Sequence, residues 1–433
     1  MSLQTPTKIR TLQRKFYTKA KDEPEFRFYA LYDKICREDI LEHAWHLVRK
    51  NGGAPGVDGM SIEQIEVEGW KTWLDELQVE LVEKRYTASP VRRIRIPKPN
   101  GGERPLGIPT IKDRVVQMAT KLVIEPIFEA DFEDNAYGYR PERSAKDAVK
   151  EVHEQLCEGR RDVVDADLSG YFDTIPHDQL TKSVARRISD GAVLKLIKMW
   201  LKAPVIGEDD DGTRRTEPSG TEGTPQGGVI SPLLANIYMN RFLKFWRLQR
   251  LNEKLDARVV SYADDFVILT RGRAREALQI TKRVMDTLGL TLNEQKTKLV
   301  DVDRGSLDFL GYTFGWEHYN KDGHTYLAAQ PSKTSIQRMK GRIGRWLNRQ
   351  NPRPWEMIVR KLNLVLEGWA NYFSYGTRTK AFRAIDHQVY QRAVDVLSKR
   401  HKTPKSTSRL WTDERIFGEM GVTRMRTLQL AGG

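Results

Sequence analysis

Three aspartates lie where strand-like sequence breaks off, and their types and spacing could bind metal ions. Asp264 and Asp265 interrupt the run "RVVSYADDFVILT". The β-branched and aromatic residues on both sides predict a hairpin with Ala263, Asp264 and Asp265 at or near its tip. Aspartate is also an ordinary turn residue, because its carboxylate accepts hydrogen bonds from nearby backbone amides. These residues alone leave two interpretations: a structural turn, or a metal site in which a cation neutralises adjacent carboxylates.

A second acidic strand end lies earlier in the chain, in "VVDADLSGYF". Asp165 and Asp167 alternate with apolar residues there, and a strand places residues i and i+2 on one face. If the two strands are neighbours, Asp167, Asp264 and Asp265 converge. Such a cluster needs divalent cations, and its hard oxygen ligands suit Mg²⁺. Two ions about 4 Å apart would clamp the attacking and leaving oxygens of a phosphoryl displacement.

The elements that must position these aspartates alternate between strand and helix. Strands are predicted at both aspartate sites, in "LTLNEQKTKLV" and "LDFLGYTF", and on both sides of the Asn100-Gly101-Gly102 turn. A Gly-rich loop leads into another helix, with Ser231 as its N-cap and Pro232 at its first position. Apolar spacing predicts further helices over 25–50, 61–86, 111–128, 274–288, 332–349, 354–373 and 379–400. We therefore expect an α+β core with an antiparallel sheet, followed by a helical domain.

Charge is concentrated near the end of the chain. The 433 residues carry a net charge of +14, and from Pro331 onward there are 21 Lys and Arg against 7 Asp and Glu. The whole excess therefore lies in the C-terminal quarter, since the two signs balance before it. A basic block of this kind usually binds a polyanion, most often nucleic acid.

Composition also narrows the cellular setting. Hydrophobic residues make up 39% of the chain, and no apolar run approaches the about 18 residues of a membrane span. Two distant cysteines, Cys36 and Cys157, provide neither a disulfide framework nor a zinc module. The basic N-terminus lacks a secretory core, so we expect an RNA-contacting extension in a bacterial cytoplasm, with a mitochondrial transit peptide as the alternative.

Seven stretches of the chain, which occur in the same order as in the family, resemble bacterial group II intron-encoded reverse transcriptase/maturases. Tyr262-Ala263-Asp264-Asp265 resembles the YxDD box of reverse transcriptases, Asp167 with Phe172 their first aspartate motif, and Pro225-Gln226-Gly227 their second. The stretches are "GVDGMSI", "RRIRIPKPNGGERPLGIPTIKDRVVQ", "AYGYRPERSAKDAV", "GTPQGGVISPLLANIYM", "LNEQKTKLV", "FLGYTF" and "LEGWANYF". With this support we favour the metal interpretation of Asp264 and Asp265, while the turn remains their expected geometry.

The resemblance implies a right-hand polymerase with an α-helical thumb that doubles as the maturase region. We place an N-terminal extension at 1–60, fingers at 61–160, palm at 161–315, thumb at 316–397 and a short basic tail at 398–433. Asp167 and Asp264 would ligate both Mg²⁺ ions with the Leu168 carbonyl, and Asp265 would complete the acidic cluster. The implied partners are group II intron RNA, an RNA template with its DNA primer, deoxynucleoside triphosphates and target DNA; no membrane is involved.

The same resemblance assigns the substrate contacts. Lys98 and Arg104 would hold the incoming triphosphate, although a solvated hairpin face remains the alternative. Gln226 would lie beside the nascent base pair, and Lys296 would give a proton to pyrophosphate unless it is a cap or surface lysine. Phe172 would select the sugar unless it is a core aromatic and Tyr171 faces the nucleotide. The implied primer grip, which a plain core hairpin would also explain, is Leu310, Gly311 and Tyr312.

The basic helices require a separate assignment. Nine apolar residues fall at helical spacing, and we assign most of them to the core of a three-helix bundle: Trp346, Leu347, Trp355, Ile358, Leu362, Leu366, Trp369, Tyr372 and Phe373. The phosphate-contacting face is predicted at Lys340, Arg342, Arg345, Arg349, Arg360 and Lys361.

The chain differs from many members of the family in two respects, and both limit the function that we expect. We expect no C-terminal zinc-ligand endonuclease, and hence no entry into double-stranded DNA by the protein's own nicking. The tail resembles a DNA-binding region only in position and charge. Competing hypotheses are a splicing cofactor without useful polymerase activity and a reverse transcriptase recruited to defence or retron-type synthesis. The three aspartates favour an enzyme, and "LEGWANYF" favours the intron type.

Overall fold

The computed structural model of the chain describes residues 4–97, 103–208, 214–218, 220–319, 323–402 and 410–428. Helices in this part of the chain are α1 (Thr7–Asp22), α2 (Tyr32–Ile35), α3 (Glu38–Asn51), α4 (Ile62–Glu68), α5 (Trp70–Val82), α6 (Ile111–Glu129), α7 (Ala145–Cys157), α8 (Tyr171–Thr174), α9 (His177–Ala185), α10 (Gly191–Leu201), α11 (Ser231–Leu248), α12 (Leu251–Lys254), α13 (Ala274–Thr287), α14 (Lys333–Trp346), α15 (Trp355–Tyr372) and α16 (Thr379–Arg400). A π-helical turn (Arg415–Glu419) and a 3₁₀ turn (Met425–Thr427) follow.

The strands form three sheets. They are β1 (Val91–Pro97), β2 (Glu103–Ile108), β3 (Asp162–Asp167), β4 (Val205–Glu208), β5 (Arg214–Glu217), β6 (Arg258–Tyr262), β7 (Asp265–Thr270), β8 (Lys298–Asp301), β9 (Leu307–Phe309), β10 (Tyr312–His318) and β11 (Thr325–Pro331). The first sheet has the order β2-β1-β4-β5, the second β6-β7-β3-β8 and the third β11-β10-β9. The second is antiparallel throughout, as predicted, whereas β1 and β4 of the first run parallel.

The β6-β7-β3-β8 sheet lies between two hydrophobic cores. Val164 and Ala166 point into the core formed with α6 and α11, while Val163 belongs to the other core, which the helices after Pro331 share. Because strand side chains alternate, Asp165 and Asp167 lie on the same face as Val163. The carboxylates therefore emerge on the side of the sheet that faces the C-terminal helices.

The predicted helix over 25–50 is wrong at its start. Residues 25–31 are not helical, and the helical turns are α2 and α3. The Asp190 carboxylate accepts hydrogen bonds from the amides of Leu31 and Tyr32 at 2.8 and 2.9 Å, and the Phe28 amide donates to Arg187 O at 2.7 Å. These tertiary contacts satisfy backbone amides of the segment outside a helix, so they override its apolar spacing.

Smaller corrections concern helix ends. The predicted helix over 61–86 breaks at Gly69, where φ is 106°, into α4 and α5. Ser231 is the first residue of α11, and Ile230, not Ser231, is its N-cap; Pro232 does lie in the first turn. The three C-terminal helices are confirmed as α14, α15 and α16. None of the helices described here has the length and apolarity that spanning a membrane requires. The domain limits stay predictions.

Candidate active site

The register of two antiparallel strands brings the aspartates together. Asp167 at the end of β3 is directly opposite Asp265 at the start of β7, and Asp265 also pairs with Tyr262 of β6. Only Ala263 and Asp264 separate β6 from β7. The predicted hairpin is therefore confirmed, with Asp264 in its tip and Asp265 at the first position of the returning strand.

A neighbouring segment braces this hairpin tip. The Tyr137 amide donates to Ser261 O at 2.8 Å, which extends the sheet past β6. Gly138 then approaches the tip so closely that a Cβ on it would lie 2.5 Å from Ala263 N. The Asn236 side chain on α11 donates to Gly138 O at 2.8 Å. Ala263 itself has a φ of 58°, a conformation that costs an L-residue about 1–2 kcal/mol and persists because the surroundings impose it.

The clustered carboxylates repel one another. Burial, followed by the charges of Asp264 and Asp167, raises the pKa of Asp265 to about 7. Burial with the charges of Asp167 and Asp308 raises the pKa of Asp165 to about 6, against the opposing effect of Lys298. Adjacent carboxylates with these shifts form an all-oxygen donor set that a divalent cation would neutralise. In the part of the chain described here, no three His, Cys, Asp or Glu side chains are arranged to hold an ion as they stand.

A lysine already contacts the cluster. Lys296 Nζ lies 2.9 and 3.1 Å from the two carboxylate oxygens of Asp167. Leu168, whose carbonyl was predicted as a ligand, forms a bridge with Leu292, and the Asn293 amide donates to Asp167 O at 2.8 Å. Lys296 is thus an exposed lysine whose ammonium reaches the acidic cluster. Its predicted role toward a nucleotide and the alternative of a cap or surface lysine both stay open.

Phe172 lies on α8, immediately beyond the catalytic strand. Its side chain is buried, and its ring meets that of Tyr139 edge-on with 6.4 Å between the centroids. Tyr171 is also buried, and its hydroxyl donates to Ala235 O at 2.6 Å, which ties it to α11. This contact opposes the alternative in which Tyr171 faces the nucleotide. Sugar selection by Phe172 stays a prediction.

The fingers and the palm meet at Gln226. Its backbone carbonyl accepts a hydrogen bond from Gly107 N of β2 at 2.6 Å, and its side chain donates to Asp173 of α8 at 3.1 Å. Lys98 lies outside the described residues, as does the side chain of Arg104, whose backbone pairs with Ile96 in the β1–β2 hairpin. The proposed triphosphate contacts of these two residues stay predictions.

The predicted primer grip is a tight hairpin held by the helices that follow it. Leu310 and Gly311 connect β9 to β10 with φ values of 48° and 79°, a conformation that glycine adopts easily at the second position. The Tyr372 hydroxyl on α15 donates to Leu310 O at 2.8 Å, and the Ser335 hydroxyl on α14 donates to Gly311 O at 2.9 Å. Tyr312 is buried and its hydroxyl donates to Tyr372 O at 2.9 Å.

These contacts correct one core assignment. Tyr372 was among the residues assigned to the bundle core, but its side chain is 40% exposed. Its hydroxyl donates instead to Leu310 O in the turn. Ile358, Leu362, Leu366 and Phe373 are buried as predicted. The sequence analysis did not identify Ser335, Asn236 and Gly138. Each of them acts through one long-range contact, and no periodic sequence pattern indicates such a contact.

The predicted phosphate-contacting residues lie mainly on the surface. Arg342, Arg345, Arg360 and Lys361 are exposed, whereas Lys340 is half-buried. Arg349 is exposed but forms an ion pair with Asp395 of α16 at 2.7 Å, so its charge is partly compensated. RNA contact by these residues stays a prediction.

Comparisons with known proteins agree with this architecture. Residues 96–314 match the family described as "Reverse transcriptase (RNA-dependent DNA polymerase)", and residues 336–413 match "Group II intron, maturase-specific domain". Protein YkfC of Escherichia coli K12 is 36% identical over 341 residues, covering 70% of this chain and 87% of that protein. Group II intron-encoded protein LtrA of Lactococcus lactis subsp. cremoris is 30% identical over 354 residues, covering 66% and 56%.

The fold and site thus define a right-hand RNA-directed DNA polymerase with a helical thumb. More particularly, the chain belongs to the group II intron reverse transcriptase/maturase family. It spans little more than half the length of LtrA. A telomerase structure from Candida albicans also aligns, with a TM-score of 0.42 and 13% identity, over 76% of this chain and 65% of that one.

Proposed function

We propose that this protein copies RNA into complementary DNA by two-metal-ion nucleotidyl transfer, and that it binds a group II intron RNA to assist splicing and retromobility. The observation that carries the proposal is the register that sets Asp167 opposite Asp265, with Asp264 in the adjoining tip. Carboxylates on one face of a sheet, open toward a basic helical domain, suit a nucleic-acid primer end and a triphosphate.

The oxygen donors of the acidic cluster suit Mg²⁺ in their chemistry. Burial, and after it the charges of Asp264 and Asp167, raise the pKa of Asp265, and oxygen donors are the ligands that Mg²⁺ prefers. Asp167 and Asp264 would hold both ions with the Leu168 carbonyl, and Asp265 would supply further negative charge. When bound, the ions would activate the primer 3′-hydroxyl and stabilise the pyrophosphate leaving group.

The remaining site residues would bind and orient the substrates. The Leu310–Gly311 turn would hold the primer end beside the aspartates, and Gln226 would contact the nascent base pair. Phe172 would lie beneath the deoxyribose and exclude a 2′-hydroxyl. Lys98, Arg104 and Lys296 would bind the phosphates of a deoxynucleoside triphosphate, Lys296 also as a proton donor to pyrophosphate.

The helices α14 to α16 would bind intron RNA. Their exposed arginines and lysines present positive charge without the fixed geometry that reads bases, so they would contact phosphates. Target DNA would be bound by the same basic region and the tail. This arrangement keeps RNA binding apart from the carboxylates, so each activity has its own surface.

Primer extension on an RNA template tests the polymerase part. We expect complementary DNA to accumulate with Mg²⁺, to stop with a chelator, and to stop when Asp167→Asn replaces the wild type. Splicing of the cognate intron RNA should be stimulated by both proteins. A wild-type protein that promotes splicing but extends no primer would instead identify a splicing cofactor without polymerase activity.

A further inference from the structure

The ammonium of Lys296 contacts the Asp167 carboxylate, which the proposed function assigns to metal ions. Its ammonium nitrogen lies 2.9 Å from one oxygen of Asp167 and 3.1 Å from the other. The Asp167 side chain is only 20% exposed, whereas that of Lys296 is 64% exposed. One partner is therefore fixed in the sheet, and the other is a long side chain that reaches in from solvent.

The backbone places Lys296 there. Ser169 N donates to Thr291 O at 2.9 Å, and Asn293 N donates to Asp167 O at 2.8 Å, so the segment before Lys296 extends the catalytic strand's pairing. Asn293 then caps the turn by accepting from Lys296 N at 3.2 Å through its carbonyl. The Asn293 side chain also accepts from the amides of Gln295 and Lys296 at 3.1 and 3.3 Å. Since none of these bonds uses the Lys296 side chain, its ammonium can leave Asp167 without disturbing the turn.

A divalent ion and this ammonium compete for Asp167. Mg²⁺ binds carboxylate oxygens at about 2.0–2.1 Å, so it would either take the place of the ammonium between the two oxygens or lie within about 5 Å of it on the outer side of the carboxylate. Like charges at that distance repel strongly in a partly buried site. Either the ion stays out, or Lys296 withdraws.

We propose that Lys296 is the resident counter-ion of Asp167 in the substrate-free protein, which a divalent cation must displace before the site can work. The displaced ammonium then swings toward the phosphates of the incoming nucleotide. This inference rests on the proposed metal site. It adds that one lysine serves two partners in turn, so metal binding without nucleotide is held weak.

Lys298 provides a matched control. It is an exposed lysine two positions further along, its Cα pairs with Asp165 in the β3–β8 ladder, and it lowers the pKa of Asp165. Lys298→Met therefore removes the same charge from the same face without touching Asp167. Lys296→Arg keeps the charge and should keep the contact.

The experiment measures Mn²⁺ binding by electron paramagnetic resonance, with protein alone and no nucleotide or nucleic acid. We expect Lys296→Met to bind Mn²⁺ about tenfold more tightly than wild type, on the scale of one unit charge near a protein surface. Lys298→Met should gain less than about threefold, because only general repulsion is removed. Lys296→Arg should match wild type. Equal gains for the two methionine variants, or no gain for Lys296→Met, would overturn the proposal.

Thermal unfolding gives a second readout that does not depend on activity. Without metal, Lys296→Met should unfold at a lower temperature than wild type, because Asp167 loses its counter-ion among repelling carboxylates. Saturating Mn²⁺ should stabilise Lys296→Met more than wild type; an equal shift would contradict the proposal.

The Asp167→Asn variant distinguishes a failure of the proposed metal site from a failure of the counter-ion proposal. Wild-type binding that disappears in Asp167→Asn confirms the metal site, and the lysine variants then decide the counter-ion proposal alone. Wild-type binding that persists in Asp167→Asn would place the ion elsewhere, which would contradict the metal assignment and the counter-ion role together.

Discussion

The palm and the thumb of this protein carry their charges in opposite ways. The aspartates of the palm repel one another, and a strand register sets Asp167 opposite Asp265. Most of the predicted phosphate-contacting arginines and lysines of the thumb are exposed on the surface of helices. A site for chemistry requires atoms held in place, whereas phosphate binding needs only enough positive charge along a surface.

This difference predicts how the two regions respond to substitution. A change in the palm should act through one atom and should abolish or redirect the reaction. A change at a charged surface residue of the thumb should act through charge, so effects should be modest, additive and sensitive to salt. The variants below test this contrast, beginning with the largest expected effect.

Replacing Asp264 by asparagine should reduce single-turnover primer extension by at least about a hundredfold, because a ligand charge worth several kcal/mol is lost. Affinity for intron RNA in a filter-binding assay should not change. Asp165→Asn is the matched control, because Asp165 lies on the same face of the sheet as Asp167 but is opposite Lys298 in the β3–β8 register. Primer extension by Asp264→Asn at a near wild-type rate would show that Asp264 is not a metal ligand.

Truncating Phe172 should change the choice of sugar. If the buried ring leaves no room for a 2′-hydroxyl, Phe172→Ala should raise ribonucleotide relative to deoxyribonucleotide insertion by more than about tenfold, equal to about 1.4 kcal/mol. The measurement is kcat/KM for both substrates on one primer-template. A constant ratio with lower overall activity would make Phe172 a structural residue only.

Tyr372 should position the primer grip. Tyr372→Phe removes the hydrogen bond to Leu310 O, which is worth about 1 kcal/mol, and should raise KM for primer-template about fivefold while KM for the nucleotide stays constant. Tyr375→Phe is the control, because it removes a hydroxyl that contacts His153 at 2.7 Å instead. Equal kinetic effects of both variants would indicate a loss of general stability.

Thumb charges should give the smallest individual effects. Removing Arg342 or Arg345 should weaken RNA binding and lower the slope of log affinity against log salt by about 0.7–0.9 each. Arg349 should contribute less, because Asp395 already pairs with it at 2.7 Å. Slopes that do not change in a salt titration would reassign these arginines to a solvated face.

In both regions sequence reasoning predicted the local, periodic features. A period of two placed Asp165 and Asp167 on one face, and the hairpin around Asp264 followed from its flanking apolar residues. The helical period likewise predicted α14 to α16. These features are local and periodic, so the chain displays them directly.

What sequence reasoning missed depends on contacts between distant residues. Three such contacts join separate parts of the chain: the Asp190 carboxylate with the Leu31 amide, Gly138 with Ala263, and the Tyr372 hydroxyl with Leu310 O. The contact of Lys296 with Asp167 belongs to the same class, since the resemblance suggested a nucleotide partner instead. Such pairs have no period, and only the folded arrangement reveals them.

Whether Asp167 and Asp264 hold the catalytic ions is tested most directly by anomalous diffraction at the manganese edge. The crystals would contain the protein, an RNA template with a 3′-deoxy DNA primer, a deoxynucleoside triphosphate and Mn²⁺. We predict two manganese peaks ligated by Asp167 and Asp264, with the ammonium of Lys296 moved away from Asp167 toward the triphosphate. A bound triphosphate with no manganese peak at Asp264, and with Lys296 still paired to Asp167, would contradict this account.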